Sequence, residues 1–125
     1  MKYALGIGLI SVFSGSLAFA EDVKPMNVAF ADGAVESSLT GVDGDPVTGR
    51  EVFANRKLGN CLAGHENADL PEESFHGEVG PAMDGVAGRW SEAELRGIVS
   101  NSKMMFEGTI MPAFYKDSGY ERPLD

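Results

Sequence analysis

A second cysteine is missing from this sequence of 125 residues, in which Cys61 stands alone. A single thiol cannot form an internal disulfide, so the chain is not a small domain held together by crosslinks. An unpaired cysteine in an exported protein has to be explained by something else, such as a reactive thiol or an attached group. Cys61 is therefore the first candidate functional residue.

Basic residues are also scarce. Lysine and arginine together number 10 against 19 aspartates and glutamates, which gives a net charge of -9. Binding to a phosphate backbone needs clustered positive charge, so the composition argues against a nucleic-acid partner. An acidic surface instead favours solubility and encounter with a basic partner protein, although the charge alone names none.

Long apolar runs are absent after the first 20 residues. Residues 4–13 form an apolar run that is too short to span a bilayer, which takes about 20 apolar residues. Lys2 precedes this run, and Ala18-Phe19-Ala20 follows it as a cleavage pattern of small residues. Residues 1–20 are therefore predicted to be a cleaved signal peptide, and the mature chain is expected in a bacterial periplasm with no membrane span.

The rest of the chain divides into an arm and one domain. Residues 21–44 contain spaced apolar residues without a sustained period, so this arm could be disordered, drape over its own domain or bind a partner. Residues 45–125 form the domain. Its first helix is predicted to begin at Asp45-Pro46, an N-cap followed by a helix-starting proline, and to end near Gly59-Asn60.

A second helix is predicted after a long loop. Residues 66–90 are punctuated by glycine and proline and are expected to be mostly loop. Ser91 with Glu94 forms a capping box, and the helix that it starts should run to residues 100–102. Two short helices in an all-α domain bury little surface, so a large flat cofactor would supply the missing core.

The run Cys61-Leu62-Ala63-Gly64-His65 differs by one residue from C-x-x-C-H, the motif that attaches haem c. In that motif two thiols add across the haem vinyl groups and the histidine reaches the iron. Gly64 stands where the second thiol would be, so only one thioether, at Cys61, is possible. The local motif is short, and by itself it could be incidental.

Two further features strengthen the interpretation as a haem site, and Arg89 is a candidate contact. Gly80-Pro81 could form a rigid strap whose carbonyl orients the ring of His65. Met111, before Pro112, is preferred as the second axial ligand over Met83, Met104 and Met105. Arg89 could bind a haem propionate or could be an ordinary surface residue.

Other sites are less well supported by the sequence. A zinc site built from Cys61, His65 and His76 would lack a fourth ligand. A nucleophilic pair of Cys61 and His65 would lack an orienting third group. His76 is expected to be a solvated loop residue, and Trp90 is expected to belong to the core.

Several segments together resemble the SoxX family, the small monohaem cytochrome c subunits of complexes that oxidise thiosulfate. The resemblance extends over nearly the whole chain after residue 20, and it rests on residues 32–41, 50–63 with His65, 80–81 and 108–114. It implies a class I cytochrome c-like fold. It also implies a haem c thioether at Cys61, with His65 and Met111 as iron ligands and the carbonyl of Pro81 on His65.

The resemblance further implies a role in a larger assembly. SoxX proteins pair with SoxA, a dihaem or monohaem cytochrome, in a heterodimer that acts as an L-cysteine S-thiosulfotransferase. The pair joins thiosulfate oxidatively to the cysteine of a carrier protein. The chain would then be an accessory subunit that passes electrons to a downstream acceptor and makes no bonds itself.

The sequence departs from the family pattern in two places. Gly64 replaces the second attachment cysteine, and the chain ends at Asp125 where members of the family continue into a C-terminal helix. The domain is therefore expected to be C-terminally incomplete. Two other functions stay open on the sequence: a generic c-type electron carrier, and a haem-free variant that only binds a partner.

Overall fold

The structure is a computed structural model that describes residues 22–119, so the predicted signal peptide lies outside the described residues. Three α-helices follow in order: α1 at Pro46–Ala54, α2 at Val86–Arg89 and α3 at Glu92–Asn101. Short 3-10 helices occur at Pro25–Asn27, Cys61–Ala63 and Ser102–Met104. Over residues 22–119 the only β pairing is an isolated bridge between Ala31 and Ala34, which agrees with the predicted all-α class.

Helix α1 begins where the sequence predicts but ends sooner. Asp45 caps it by accepting a hydrogen bond from the Val47 amide at 2.9 Å. The carboxylate also accepts from the Thr48 hydroxyl, and this bond is the main reason that the pKa of Asp45 is lowered. The predicted end near Gly59-Asn60 is wrong, because Asn55 is already extended at ψ 117°. Its carbonyl accepts from the amide of Asn60 at 3.0 Å, which closes a turn after the helix.

Helix α3 matches its prediction. The Ser91 hydroxyl accepts from the Glu94 amide, and the Glu94 carboxylate accepts from the Ser91 amide at 2.7 Å, so both halves of the capping box are present. The Ser91 amide and then the Ser91 hydroxyl both donate to the Glu94 carboxylate, and these two hydrogen bonds lower the pKa of Glu94. The predicted loop over residues 66–90 is wrong at its end, because α2 forms a single helical turn there after Gly85, whose φ is 70°.

The arm packs on its own domain, which is one of the three outcomes left open by the sequence. Val35 is almost fully buried, and its amide donates to the Ala93 carbonyl of α3 at 2.9 Å. The Arg96 guanidinium returns a hydrogen bond to the Val35 carbonyl at 2.7 Å. Farther out, the Tyr115 hydroxyl donates to the Val23 carbonyl at 2.6 Å. The arm is thus held to α3 at Val35 and to the segment after α3 at Val23.

The arm crosses α3 at a contact between two glycines. A Cβ placed on Gly97 would lie 1.9 Å from the Gly33 carbonyl oxygen, well inside any permitted separation. We therefore expect Gly97→Ala to lower the free energy of unfolding by about 1–3 kcal/mol, the usual cost of overpacking. Chemical denaturation of the full chain measures this change.

Gly49→Ala is the matched control for that substitution. Gly49 lies within α1, and a Cβ there would meet no atom within 4 Å. Alanine should stabilise this helix by about 0.5–1 kcal/mol relative to glycine. Equal effects of the two substitutions would contradict the close crossing of the arm and α3.

The buried core of residues 22–119 is small. Its buried apolar residues are Ala34, Val35, Leu62, Leu70 and Ile98. Many larger apolar side chains stay exposed, including Val99, Phe106, Ile110 and Phe114 on and after α3. None of the helices in the described part of the chain is long and apolar enough to cross a membrane.

Candidate functional site

Cys61 and His65 lie together within one tight turn. Asn60 adopts a left-handed conformation at φ 51°, which reverses the chain before the 3-10 helix at Cys61–Ala63. The His65 amide donates to the Cys61 carbonyl at 3.0 Å, so the two residues are a single turn apart. Burial raises the pKa of the Cys61 thiol, which therefore stays protonated at neutral pH.

The imidazole of His65 is oriented by a backbone carbonyl. His65 Nδ1 lies 2.7 Å from the Pro81 carbonyl oxygen. A carbonyl can only accept a hydrogen bond, so Nδ1 carries a proton, and in the neutral imidazole the lone pair is then on Nε2. This is the arrangement that metal-binding histidines commonly adopt, with one ring nitrogen anchored and the other available to a metal.

The segment around Pro81 runs beside the Cys61–His65 turn. The Gly80 amide donates to the Gly64 carbonyl at 2.7 Å, and the Met83 amide donates to the Glu66 carbonyl at 2.8 Å. A Cβ on Gly80 would lie only 2.4 Å from Cε1 of His65. The lack of a side chain at Gly80 is therefore what allows the backbone to approach the imidazole so closely.

Arg89 fastens the far end of the same segment. Its Nη1 donates to the Asp84 carbonyl at 2.6 Å, and its Nη2 donates to the Ala82 carbonyl at 2.7 Å. These bonds hold the backbone on the C-terminal side of Pro81. The predicted contact of Arg89 with a propionate stays a prediction, and the contacts present in the structure are those to the backbone.

Gly64 has an ordinary backbone conformation. Its φ of -114° and ψ of -22° are open to any residue, and a Cβ there would meet nothing closer than the Cys61 carbonyl oxygen at 3.9 Å. The fold therefore does not require glycine at this position. A Cβ at this position would fit without moving the backbone.

Met111 lies on a separate segment that is attached to the end of α3. The amides of Phe114 and Tyr115 donate to the carbonyls of Val99 and Ser100, at 3.3 Å and 3.0 Å. Met111 itself is half-buried, and its carbonyl accepts hydrogen bonds from Ser102 and Lys103. The structure thus joins His65 with Pro81, and Arg89 of α2 holds the backbone after Pro81. The hydrogen bonds of the Met111 carbonyl are instead with side chains of the 3-10 helix at Ser102–Met104.

The sequence did not indicate Ser102 and Lys103 as functional residues. Ser102 is predicted only as the last position of a helix, and the sequence assigns no role to Lys103. No short motif connects them to Met111, eight and nine positions later. A contact across such a loop depends on the path of the chain and carries no local signal.

His76 fastens a loop and is less solvated than predicted. The Asn67 amide donates to His76 Nδ1 at 3.2 Å, so Nε2 must be the nitrogen that donates to the Leu70 carbonyl, at 3.1 Å. The ring is half-buried. Within residues 22–119 no group of three His, Cys, Asp or Glu side chains could hold a metal ion, which argues against the zinc alternative.

The donor set and the exposed apolar residues fit a haem. One half-buried thiol lies a turn away from an imidazole that is anchored through Nδ1, and Gly80 lets the backbone pack closely against that ring. Trp90 is half-buried and packs edge-on against Phe106, with ring centroids 5.6 Å apart. The apolar side chains exposed on and after α3 would be covered by a large flat apolar group, which would lower their cost of exposure.

Comparisons with known proteins relate the chain to a solved structure. No protein-family model matches the chain, and no curated protein sequence matches it. The chain is similar to a chain in the crystal structure of SoxXA from P. pantotrophus, with 50% sequence identity and a TM-score of 0.81. The match covers 83% of this chain and 76% of that one. Together with the segments that resemble SoxX, this match shows that the chain belongs to the SoxX family of small cytochrome c-like subunits.

Proposed function

We propose that the chain is an exported c-type cytochrome subunit that carries one haem through a single thioether at Cys61. The observation that best supports this is the 2.7 Å contact of His65 Nδ1 with the Pro81 carbonyl, since it leaves Nε2 as the free ligand atom. The similarity to SoxXA supports a place in a sulfur-oxidising complex. The predicted signal peptide supports a periplasmic location.

Each proposed ligand has a distinct task. Haem supplies a one-electron change at its iron. His65 Nε2 and the sulfur of Met111 would be the two protein ligands of the iron. Cys61 would anchor the group covalently, which keeps it in place in the exported chain. Hydrogen bonding from Nδ1 to Pro81 makes Nε2 a stronger donor and holds the ring at a fixed angle.

The proposed partner is a SoxA subunit in a heterodimer. In such a complex, thiosulfate is joined oxidatively to the cysteine of a carrier protein, and the electrons that are released have to leave. The chain would pass these electrons to a downstream acceptor and would make no covalent bond to the substrate. Its net charge of -9 favours association with a basic surface.

Gly64 favours a second candidate function, that of a haem-free subunit which only binds its partner. Attachment at a single thiol gives the maturation machinery one point of reaction where the usual motif offers two. The arm would then be the main functional element. A generic electron carrier is the third candidate, and it differs from the first only in lacking a SoxA partner.

Export of the full chain together with a SoxA subunit and the haem-attachment machinery separates these functions. We expect the two chains to elute together, and we expect the haem of this chain to be reduced when thiosulfate and carrier protein are added. Elution of a haem-bearing chain without SoxA would indicate the generic carrier. Elution of a haem-free chain with SoxA would contradict the electron-transfer proposal.

A further inference from the structure

Both backbone groups of Met111 are occupied by hydrogen bonds with polar side chains. The Met111 carbonyl accepts from Ser102 Oγ at 2.7 Å and from Lys103 Nζ at 2.6 Å. The Met111 amide donates to Thr109 Oγ1 at 3.2 Å. Lys103 Nζ also donates to the Thr109 carbonyl at 2.7 Å. The loop is therefore tied to the residues that follow α3 at the carbonyls of Thr109 and Met111.

The Ser102 hydroxyl is committed to this contact. Ser102 is completely buried, with 0% of its surface exposed, and its hydroxyl bonds to the Met111 carbonyl. A buried hydroxyl is costly unless it is paired, so the pairing restricts where Met111 can lie. The backbone of Ser102 is fixed as well, because its carbonyl accepts from the Phe106 amide at 2.9 Å.

Lys103 adds a charged contact to the same loop. Its ammonium group bridges the carbonyls of Thr109 and Met111, and hydrogen bonds from a charged donor are stronger than neutral ones. The Lys103 amide is held by Asn101 Oδ1 at 3.2 Å, which sets the direction of the residue. The neighbouring Ile110 is 80% exposed, so apolar packing of that side chain does little to hold the loop.

We propose that Ser102 and Lys103 are positioning residues that hold Met111 in place as the second iron ligand. The inference rests on the proposed function, in which Met111 binds the haem iron. A thioether is a weak ligand, and a loop free to move would release it readily to a competing donor. Two anchors on the Met111 carbonyl would keep its sulfur near the iron in both oxidation states.

Competition by imidazole tests this role in the haem-loaded full chain. Ser102→Ala removes one anchor and Lys103→Met removes the other while keeping most of the stem. Each substitution should lower the imidazole concentration that displaces Met111 by about fivefold, the factor that corresponds to one hydrogen bond of about 1 kcal/mol. The double variant should show the largest drop, together with loss of the sulfur-to-iron charge-transfer band of the oxidised protein.

Matched controls separate positioning from general destabilisation. Ser100 is buried in α3, two residues before Ser102, and its hydroxyl donates to the Arg96 carbonyl at 2.7 Å. Ser100→Ala therefore removes a similar hydrogen bond without involving Met111. Lys57→Met removes an exposed charge elsewhere. Both controls should keep the wild-type band and imidazole midpoint, even where thermal stability falls.

Failure of the positioning role and failure of Met111 ligation would give different results. If the double variant keeps the wild-type band and imidazole midpoint, the positioning role is wrong while Met111 ligation stands. Should Ser102→Ala fail to fold, Lys103→Met alone decides, because its side chain is exposed and an unchanged midpoint overturns the proposal. If the wild-type chain carries haem but lacks the sulfur band, then Met111 is not the ligand and the inference falls with that assignment.

Discussion

Gly64→Cys is expected to give the exported chain a second covalent bond to haem. The backbone at Gly64 has a φ that any residue adopts, and a Cβ there meets nothing closer than 3.9 Å. The substitution restores the C-x-x-C-H spacing, so the second vinyl group should react as the first does. Mass spectrometry of the purified chain, with a spectrum in alkaline pyridine, counts the remaining vinyl groups.

Two variants control this experiment. Ala63→Cys adds a thiol at the neighbouring exposed position, outside the motif spacing, and should leave the number of thioethers at one. Cys61→Ser should abolish haem staining on a denaturing gel. If Gly64→Cys carries no more thioether bonds than the wild type, then a thiol at position 64 does not reach the second vinyl group and the proposed placement of the haem beside Cys61 and His65 is wrong.

Gly80→Ala is expected to disrupt ligation by His65 in most molecules. The new Cβ would lie 2.4 Å from Cε1 of the imidazole, whereas carbon atoms in ordinary contact are about 3.5 Å apart. Either the ring or the strap has to move, and either movement breaks the bond between Nδ1 and the Pro81 carbonyl. We expect a mixed or high-spin spectrum, a lower haem content and a loss of about 1–3 kcal/mol in unfolding free energy.

Gly88→Ala is the control for the strap. Gly88 lies in α2 close to Arg89, and a Cβ there meets no atom within 4 Å. Its spectrum should match that of the wild type, and its stability should be equal or slightly higher because alanine favours a helix. A wild-type spectrum for Gly80→Ala would show that the close approach to His65 is not needed for ligation.

The elements that were predicted correctly are those with local signals. Ser91 and Glu94 contact each other across three residues, so the capping box marks the start of α3 without reference to the rest of the chain. The Asp45 cap of α1 is equally local. The end of α1 was placed too late, because Gly59-Asn60 closes the turn that follows the helix instead of the helix itself. A Gly-Asn pair can end a helix or close a later turn, and the sequence alone does not distinguish the two.

The site divides in the same way. Cys61 and His65 were found from a motif, and the role of the Pro81 carbonyl came from the family resemblance. The crossing of Gly97 over Gly33 joins residues 64 positions apart, and its only trace in the sequence is two glycines among the 16 of the chain. The hydrogen bonds of Ser102 and Lys103 to Met111 join residues only nine and eight positions apart. They still depend on the path of an irregular loop, which hydrophobic periodicity does not predict.

The central claim is that this chain holds haem through one thioether at Cys61. The most direct test is the spectrum in alkaline pyridine of the unmodified chain, exported with the haem-attachment machinery and separated from free haem under denaturing conditions. The account predicts an alpha band between those of haem with no thioether and haem with two, because one vinyl group remains. A chain that retains no haem after denaturation would contradict it.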